Sequence, residues 1–98
     1  MIALTAILRV RPGAEETVKA ALLKVAAYAA AEEAGTISYY CGQDGCDPSV
    51  FTTYERYRDR AAMDQHNGSS VVAEFFAVAK PLLAGEPVIQ VSEEIFPA

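Results

Sequence analysis

Residues Tyr54–Ser70 read YERYRDRAAMDQHNGSS, and the turn from strand to helix inside them sets the frame for the chain. Val50–Tyr57, just upstream and overlapping, is rich in aromatic and β-branched residues and predicts a strand. Alternation puts Phe51, Thr53, Glu55 and Tyr57 on one face and Thr52, Tyr54 and Arg56 on the other. Asp59 stands at an N-cap position, where its carboxylate can accept from the free amides of the next turn. Arg60–His66 follows as about two helical turns. Asn67 and Gly68 suit left-handed residues closing that helix, and Ser69 or Ser70 can cap the next. His66, the single histidine of the chain, is expected near the solvent edge of this short helix, so that replacing it spares the fold.

Working outward, Ile2–Arg11 is apolar on both parities, with Ile2, Leu4, Ala6, Leu8 and Val10 on one and Ala3, Thr5 and Ile7 on the other. Such a strand is expected to be covered on both faces. Pro12 and Gly13 end it. Ala14–Ala34 reads as a long helix with Glu15 and Glu16 at its positive end. Val18, Leu22, Val25 and Ala29 form its apolar stripe, and Gly35 is the expected C-cap. Thr36–Cys41 is a second strand. Turn-forming residues from Gly42 to Ser49 join it to Val50–Tyr57. Val71–Leu83 is the last main helix, with Pro81 kinking or ending it, and Val88–Phe96 is a final strand. The order β-α-β-β-α-β, with one short inserted helix, is the ferredoxin-like α+β pattern: a four-stranded antiparallel sheet in a single domain spanning residues 1–98. A second subunit packed against the open sheet face would cover the other side of the first strand.

With 98 residues the chain has room for one domain. Its net charge of -5 disfavours a nucleic-acid partner. No apolar run approaches a membrane span, and the first residues lack the basic start of a secretory leader, so a cytoplasmic location is the default expectation. Cys41 and Cys46 match neither a redox pair nor a zinc ribbon. They are read as reduced thiols, one in a strand and one in a turn. No metal site is expected. Glycine-rich dinucleotide or phosphate loops and HExxH or GxSxG motifs are missing from the sequence, and no cofactor is expected.

The run DPSVFTTYERYRDRAAMDQHNGSS, from Asp47 to Ser70, together with EFFAVAKPLLAG and RVRPGAEE, resembles the antibiotic biosynthesis monooxygenase family along nearly the whole chain. The resemblance implies a dimeric α/β barrel in which two ferredoxin-like sheets face each other. It also implies an oxygenase of quinols or anthrones that needs no cofactor. Tyr54-Glu55 matches the family's Tyr-Glu pair, His66 its histidine, and Phe75 an aromatic of its last helix. Tyr57 stands where many members have Trp. The chain has no Trp, and Val71–Leu83 no His, which argues against the haem-degrading branch.

These residues frame a candidate site. His66, whose type titrates near neutrality, is the candidate general base. The structural alternative is a helix-end histidine tying its loop to a carbonyl or to Glu55. Tyr39, Tyr57, Glu55, Phe75 and Phe76 are candidate substrate-binding residues. The tyrosines can equally pack the sheet, and a salt bridge from Glu55 to Arg56, Arg58 or an arginine of a second chain is favoured over a bond to His66. Of Phe75 and Phe76, adjacent on a helix, one is expected in the core and the other against ligand or solvent. An electron-rich aromatic, once deprotonated, can itself reduce dioxygen in a dry pocket. Two other functions stay open: a non-enzymatic small-ligand-binding dimer, and an isomerase or proton-transfer enzyme acting on a carbonyl compound.

Overall fold

The computed structural model describes residues 1–96. Strand β1 (Ile2–Arg9) leads to helix α1 (Glu15–Glu32), then strands β2 (Thr36–Gln43) and β3 (Val50–Tyr57). Helices α2 (Arg60–Asn67) and α3 (Ser70–Ala79), a 3-10 turn at Lys80–Leu82 and strand β4 (Val88–Glu93) complete the chain. The sheet has the order β2-β3-β1-β4, with every pairing antiparallel. This is the ferredoxin-like α+β arrangement, and the two halves of its split β-α-β units interleave.

The register explains where the core lies. Leu4 faces Glu55, Ala6 faces Thr53 and Leu8 faces Phe51 across β1 and β3. Residues directly opposite in a sheet share a face, so one face carries Ile2, Leu4, Ala6, Leu8, Phe51, Thr53, Glu55 and Tyr57, all buried. Helix α1 lays Val18, Leu22, Val25 and Ala29 into the interior. The apolar side chains of this interior form two clusters. The larger joins Leu8, Val18, Leu22, Val25, Phe51, Phe75 and Leu83, and the smaller joins Ile2, Leu4, Ala6, Tyr57, Ala62 and Met63.

The opposite face of β1 is left largely open by the elements of one chain. Within one chain only Ala3 of that parity is buried. Ile7 is half-covered, and Thr5 and Arg9 are exposed. Tyr40, Tyr54 and Val88 stand out from the same face at 64%, 43% and 53% exposure. Arg56 reaches Glu94 there in a two-pronged salt bridge of 2.6 and 2.8 Å. No helix among the described residues is long and apolar enough to cross a membrane.

Element ends shifted where tertiary contacts outweighed local preference. Strand β2 runs on to Gln43 because β3 continues to pair with it, while β4 stops at Glu93, opposite Ile2, where β1 runs out. Pro81 falls inside the 3-10 turn that ends α3, as its missing N–H requires. Asp59 caps α2 by accepting from Ala62 N–H at 2.9 Å. Asn67 and Gly68 are not left-handed: Gly68 has φ -88° and ψ 2°. Its N–H bonds to Asp64 O and the Ser69 N–H to His66 O, so α2 passes into α3 through a near-helical turn. The left-handed glycine of the described chain is Gly13, at φ 91°.

Gly35 is not the C-cap of α1 either; Glu33 is. A Cβ at Gly35 would lie 2.6 Å from the Ala62 Cβ, so glycine here permits α2 to approach the start of β2. Gly35→Ala is expected to cost about 1–3 kcal/mol, the usual penalty of an overpacked contact. Combined with Ala62→Gly, it should cost less than the two single changes added together. Urea denaturation of the four proteins in this cycle measures the coupling.

Candidate active site

Thr53 and Glu55 interrupt an otherwise apolar buried face, and the polar chemistry of the fold gathers around them. A buried carboxylate must be hydrogen-bonded to be tolerated. Strand periodicity supplies the partners, since residues two apart share a face. Thr53 Oγ1 donates to Glu55 Oε2 at 2.7 Å, and the Tyr57 hydroxyl donates to Glu55 Oε1. The expected salt bridge from Glu55 to Arg56 or Arg58 does not form, because those arginines leave the strand on the other face or beyond its end. Arg56 instead pairs with Glu94, and Arg58 with Asp59.

His66 comes down onto this row from α2. Its side chain is 3% exposed, which corrects the expected solvent-edge position. The C-terminus of α2 is covered by α1, the start of β2 and the turn into α3. Nδ1–H donates to Glu33 Oε1 at 2.7 Å, while Nε2 lies 3.8 Å from Glu55 Oε1, too far for a hydrogen bond. Thr36 Oγ1 donates to the same Glu33 oxygen at 2.8 Å. Tyr39 and Tyr57 flank the imidazole, with ring centroids 5.4 and 5.5 Å away.

A cavity of about 310 Å³ opens where the two apolar clusters meet. Its sheet wall carries Leu4, Ala6, Leu8, Tyr39, Thr53 and Glu55, and its helix wall carries Leu22, Val25, Val72, Phe75 and Phe76. His66 and the turn Asn67–Ser69 close one end, and exposed Ile89 of β4 stands at the rim. On the far side of the imidazole lies a second, polar cleft of about 290 Å³ lined by Glu32, Glu33, Thr36, Arg58 and Gln65. A larger hollow of about 900 Å³ beside Arg11 and Lys80 shares only Phe76 with this cavity and none of its titratable groups.

The structure thus brings together five of the six residues singled out in the sequence. His66, Glu55, Tyr39, Phe75 and Phe76 all line one cavity. Phe75 is buried and Phe76 half-buried, their rings meeting edge to face at 5.1 Å. Tyr57 is fully buried behind Glu55 and does not line the cavity; its part is to hold the carboxylate. Glu33 was not singled out. It sits at the end of α1, 33 residues from His66, and only an excess of acid at a helix C-terminus, where the dipole disfavours it, hinted that it had another partner.

The electrostatics follow the burial. Desolvation, then Glu55 close by, pushes the Tyr39 phenol well above its ordinary 10.0. Desolvation, then the hydrogen bond to Glu55, does the same for Tyr57. Partial burial of the sulfur and Glu55 raise Cys41 above 9.0, which leaves it a poor nucleophile. Cys41 and Cys46 are both free. Among the described residues, no group of three or more His, Cys, Asp or Glu side chains converges as metal ligands would.

The profile of the antibiotic biosynthesis monooxygenase family matches residues 1–78. No curated protein sequence matches the chain. Among solved structures, a candidate antibiotic biosynthesis monooxygenase from Caulobacter crescentus is 26% identical, with a TM-score of 0.90 over 97% of this chain and 90% of that one. A Mycobacterium tuberculosis protein is 28% identical, with a TM-score of 0.91 over 99% and 97%. A candidate member from Nitrosomonas europaea shares the fold at a TM-score of 0.92 and 18% identity, over 98% and 100%.

Because Tyr39 and Tyr57 hold their protons more tightly folded than unfolded, they stabilise the fold fully below pH ~10 and progressively less above it. Above that pH the unfolded chain releases two protons that the fold retains, so stability should fall by up to about 1.4 kcal/mol per pH unit for each tyrosine. In an alkaline titration, two tyrosines' worth of tyrosinate absorbance should appear only together with loss of the far-UV dichroism. Tyr57→Phe should remove one of the two and cost about 1–3 kcal/mol, since Glu55 loses a buried donor.

Proposed function

The chain belongs to the antibiotic biosynthesis monooxygenase family, and from that premise we propose that it oxygenates a small electron-rich aromatic, of quinol or anthrone type, without a cofactor. The observation that carries this reading is His66: a buried imidazole whose Nδ1–H is taken by Glu33 and whose Nε2 lies on the side of Glu55, with which His66 lines a largely apolar cavity. A neutral imidazole with one nitrogen occupied as a donor leaves the other as an acceptor. A phenolic hydroxyl seated against Nε2 can then give up its proton. The resulting anion is electron-rich enough to reduce dioxygen. For a phenol with a free ring C–H, one oxygen atom becomes a new carbonyl, the other leaves as water with the O–H and C–H hydrogens, and the substrate supplies all four electrons.

The cavity suits that chemistry in size and lining. At about 310 Å³ it lies at the small end of the range for ligand sites, which favours a compact ring system. Its aliphatic and aromatic walls keep water from a reactive anion. Tyr39, its phenol held un-ionised by burial, is a hydrogen-bond donor beside the base, able to support a developing oxyanion. The reading extends to a second copy of the chain on the open sheet face, as the family's dimeric barrel implies. Tyr40, Tyr54 and Val88, exposed there, would be its anchors.

His66→Gln is the informative change. Removing the ring entirely would leave Glu33 and Glu55 facing a void, and stripping one partner from a buried polar cluster is costly. The glutamine should fold, yet lower oxygen uptake on a panel of quinols and anthrones by about two to four powers of ten, the usual contribution of a positioned base. Equal rates for both proteins would reduce His66 to a structural tie between helices. Anaerobic turnover of a carbonyl compound without oxygen uptake would favour the proton-transfer reading, and binding without turnover the ligand-binding one.

For the assembly, sedimentation equilibrium at micromolar concentration is expected to give twice the 10.5 kDa chain mass. A Tyr40→Asp, Tyr54→Asp double variant should shift it toward the monomer.

A further inference from the structure

We propose that Glu33 is the positioning residue that makes His66 a base. The inference rests on the reading of His66 given above and assigns a role to a side chain on a different element. Three observations carry it. Glu33 Oε1 lies 2.7 Å from His66 Nδ1 and 2.8 Å from the Thr36 hydroxyl, so one carboxylate oxygen is fixed by a strand residue while it fixes the ring. The ring is 3% exposed, so the carboxylate rather than bulk solvent is the partner of Nδ1. The imidazole also forms a wall, lining the apolar cavity on one side and the polar cleft that contains Glu33 on the other.

The chemistry follows from that placement. Glu33 accepts the Nδ1–H and thereby holds the tautomer in which the Nε2 lone pair points away from it, on the side where Glu55 and the cavity lie. When a phenol binds, its O–H electron pair stays on oxygen and the proton moves to Nε2; the Nδ1–H bond is kept throughout. The imidazolium formed inside a buried site needs a compensating charge. Two carboxylates flank it, and they are not equivalent. Glu55, 3.8 Å from Nε2, lies on the substrate side, where it would also repel the phenolate, and both its oxygens are engaged by Thr53 and Tyr57. Glu33 stands a ring's width further from the substrate. It therefore stabilises the cation with little cost to the anion, the same division of labour by which a buried carboxylate orients the histidine of a hydrolase triad.

The test is the ionisation of a bound phenol, which requires no oxygen chemistry. The probe is 4-nitrophenol, whose anion absorbs in the visible, at a pH where the free compound is mostly un-ionised. Wild type is expected to bind it as the anion. Glu33→Gln, which can still accept the Nδ1–H but carries no charge, should lower the ratio of bound anion to bound neutral phenol by about tenfold to a hundredfold, the loss usual for an orienting partner. Affinity for the neutral form should change little. Glu33→Asp should recover part of the ratio. Thr36→Val, which loosens the same carboxylate without altering charge, should shift the spectrum in the same direction by a smaller factor, and it serves if Glu33→Gln does not fold. A wild-type spectrum in Glu33→Gln, or in Thr36→Val where that variant is the one that folds, with His66→Gln holding only the neutral form, would overturn the role of Glu33 and leave His66 as the base. A neutral probe in wild type, unchanged in His66→Gln, would overturn both.

Discussion

Glu55 is a carboxylate at the centre of the helix-covered face of the sheet, 4% exposed, and the arrangement of the site follows from satisfying it. An ionised group taken out of water costs several kcal/mol unless its lone pairs are filled. The β-strand offers a local answer, because its period of two places Thr53 and Tyr57 on the same face. Their hydroxyls occupy both oxygens. A longer-range partner is then not required, which leaves the imidazole of His66 close to the carboxylate yet not bonded to it through Nε2.

That polar row also divides the core. Apolar side chains cluster on either side of it, around Leu8 and Phe51 at one end and around Ile2 and Tyr57 at the other, and the cavity opens at the seam. Helices α1 and α3 span the gap without filling it. Small residues matter here: Ala6 and Ala73 line the hollow where larger side chains would occupy it. The turn from α2 to α3 seals the end, with Ser69 accepting from Val72 N–H at 3.4 Å and donating to His66 O at 2.6 Å. The backbone carbonyl of His66 is thus tied to the start of α3 while its ring is tied to the end of α1, and the side chain has little freedom to leave the cavity.

Much of the frame was legible because it is periodic or locally capped. The stripe Val18, Leu22, Val25, Ala29 is the buried face of α1, and the alternation in Val50–Tyr57 sorts buried from open residues as observed. Asp59 caps α2 and Ser69 caps α3. The glycines were less legible. Their local pattern suggests backbone freedom at Gly35 and Gly68, but Gly35 serves close packing against Ala62, and Gly68 has ordinary dihedral angles. A glycine announces that a Cβ is missing without saying whether sterics or torsion required it.

The sequence by itself determined the element order and the buried faces of α1 and β3, because each follows from spacing along the chain, and its residues and family resemblance together named His66, Glu55, Tyr39, Phe75 and Phe76 as candidates. Only the tertiary structure decided their partners. Glu33 meets His66 because α1 ends beside the place where α2 ends, a contact between residues 33 apart that no local pattern encodes. Tyr57 supports Glu55 instead of lining the cavity because the seam between the two apolar clusters falls on the other side of the carboxylate. The burial of His66 was decided in the same way. A helix end reads as exposed until another helix and a strand are packed over it, and the chemistry available to an imidazole depends on which groups then take the place of water.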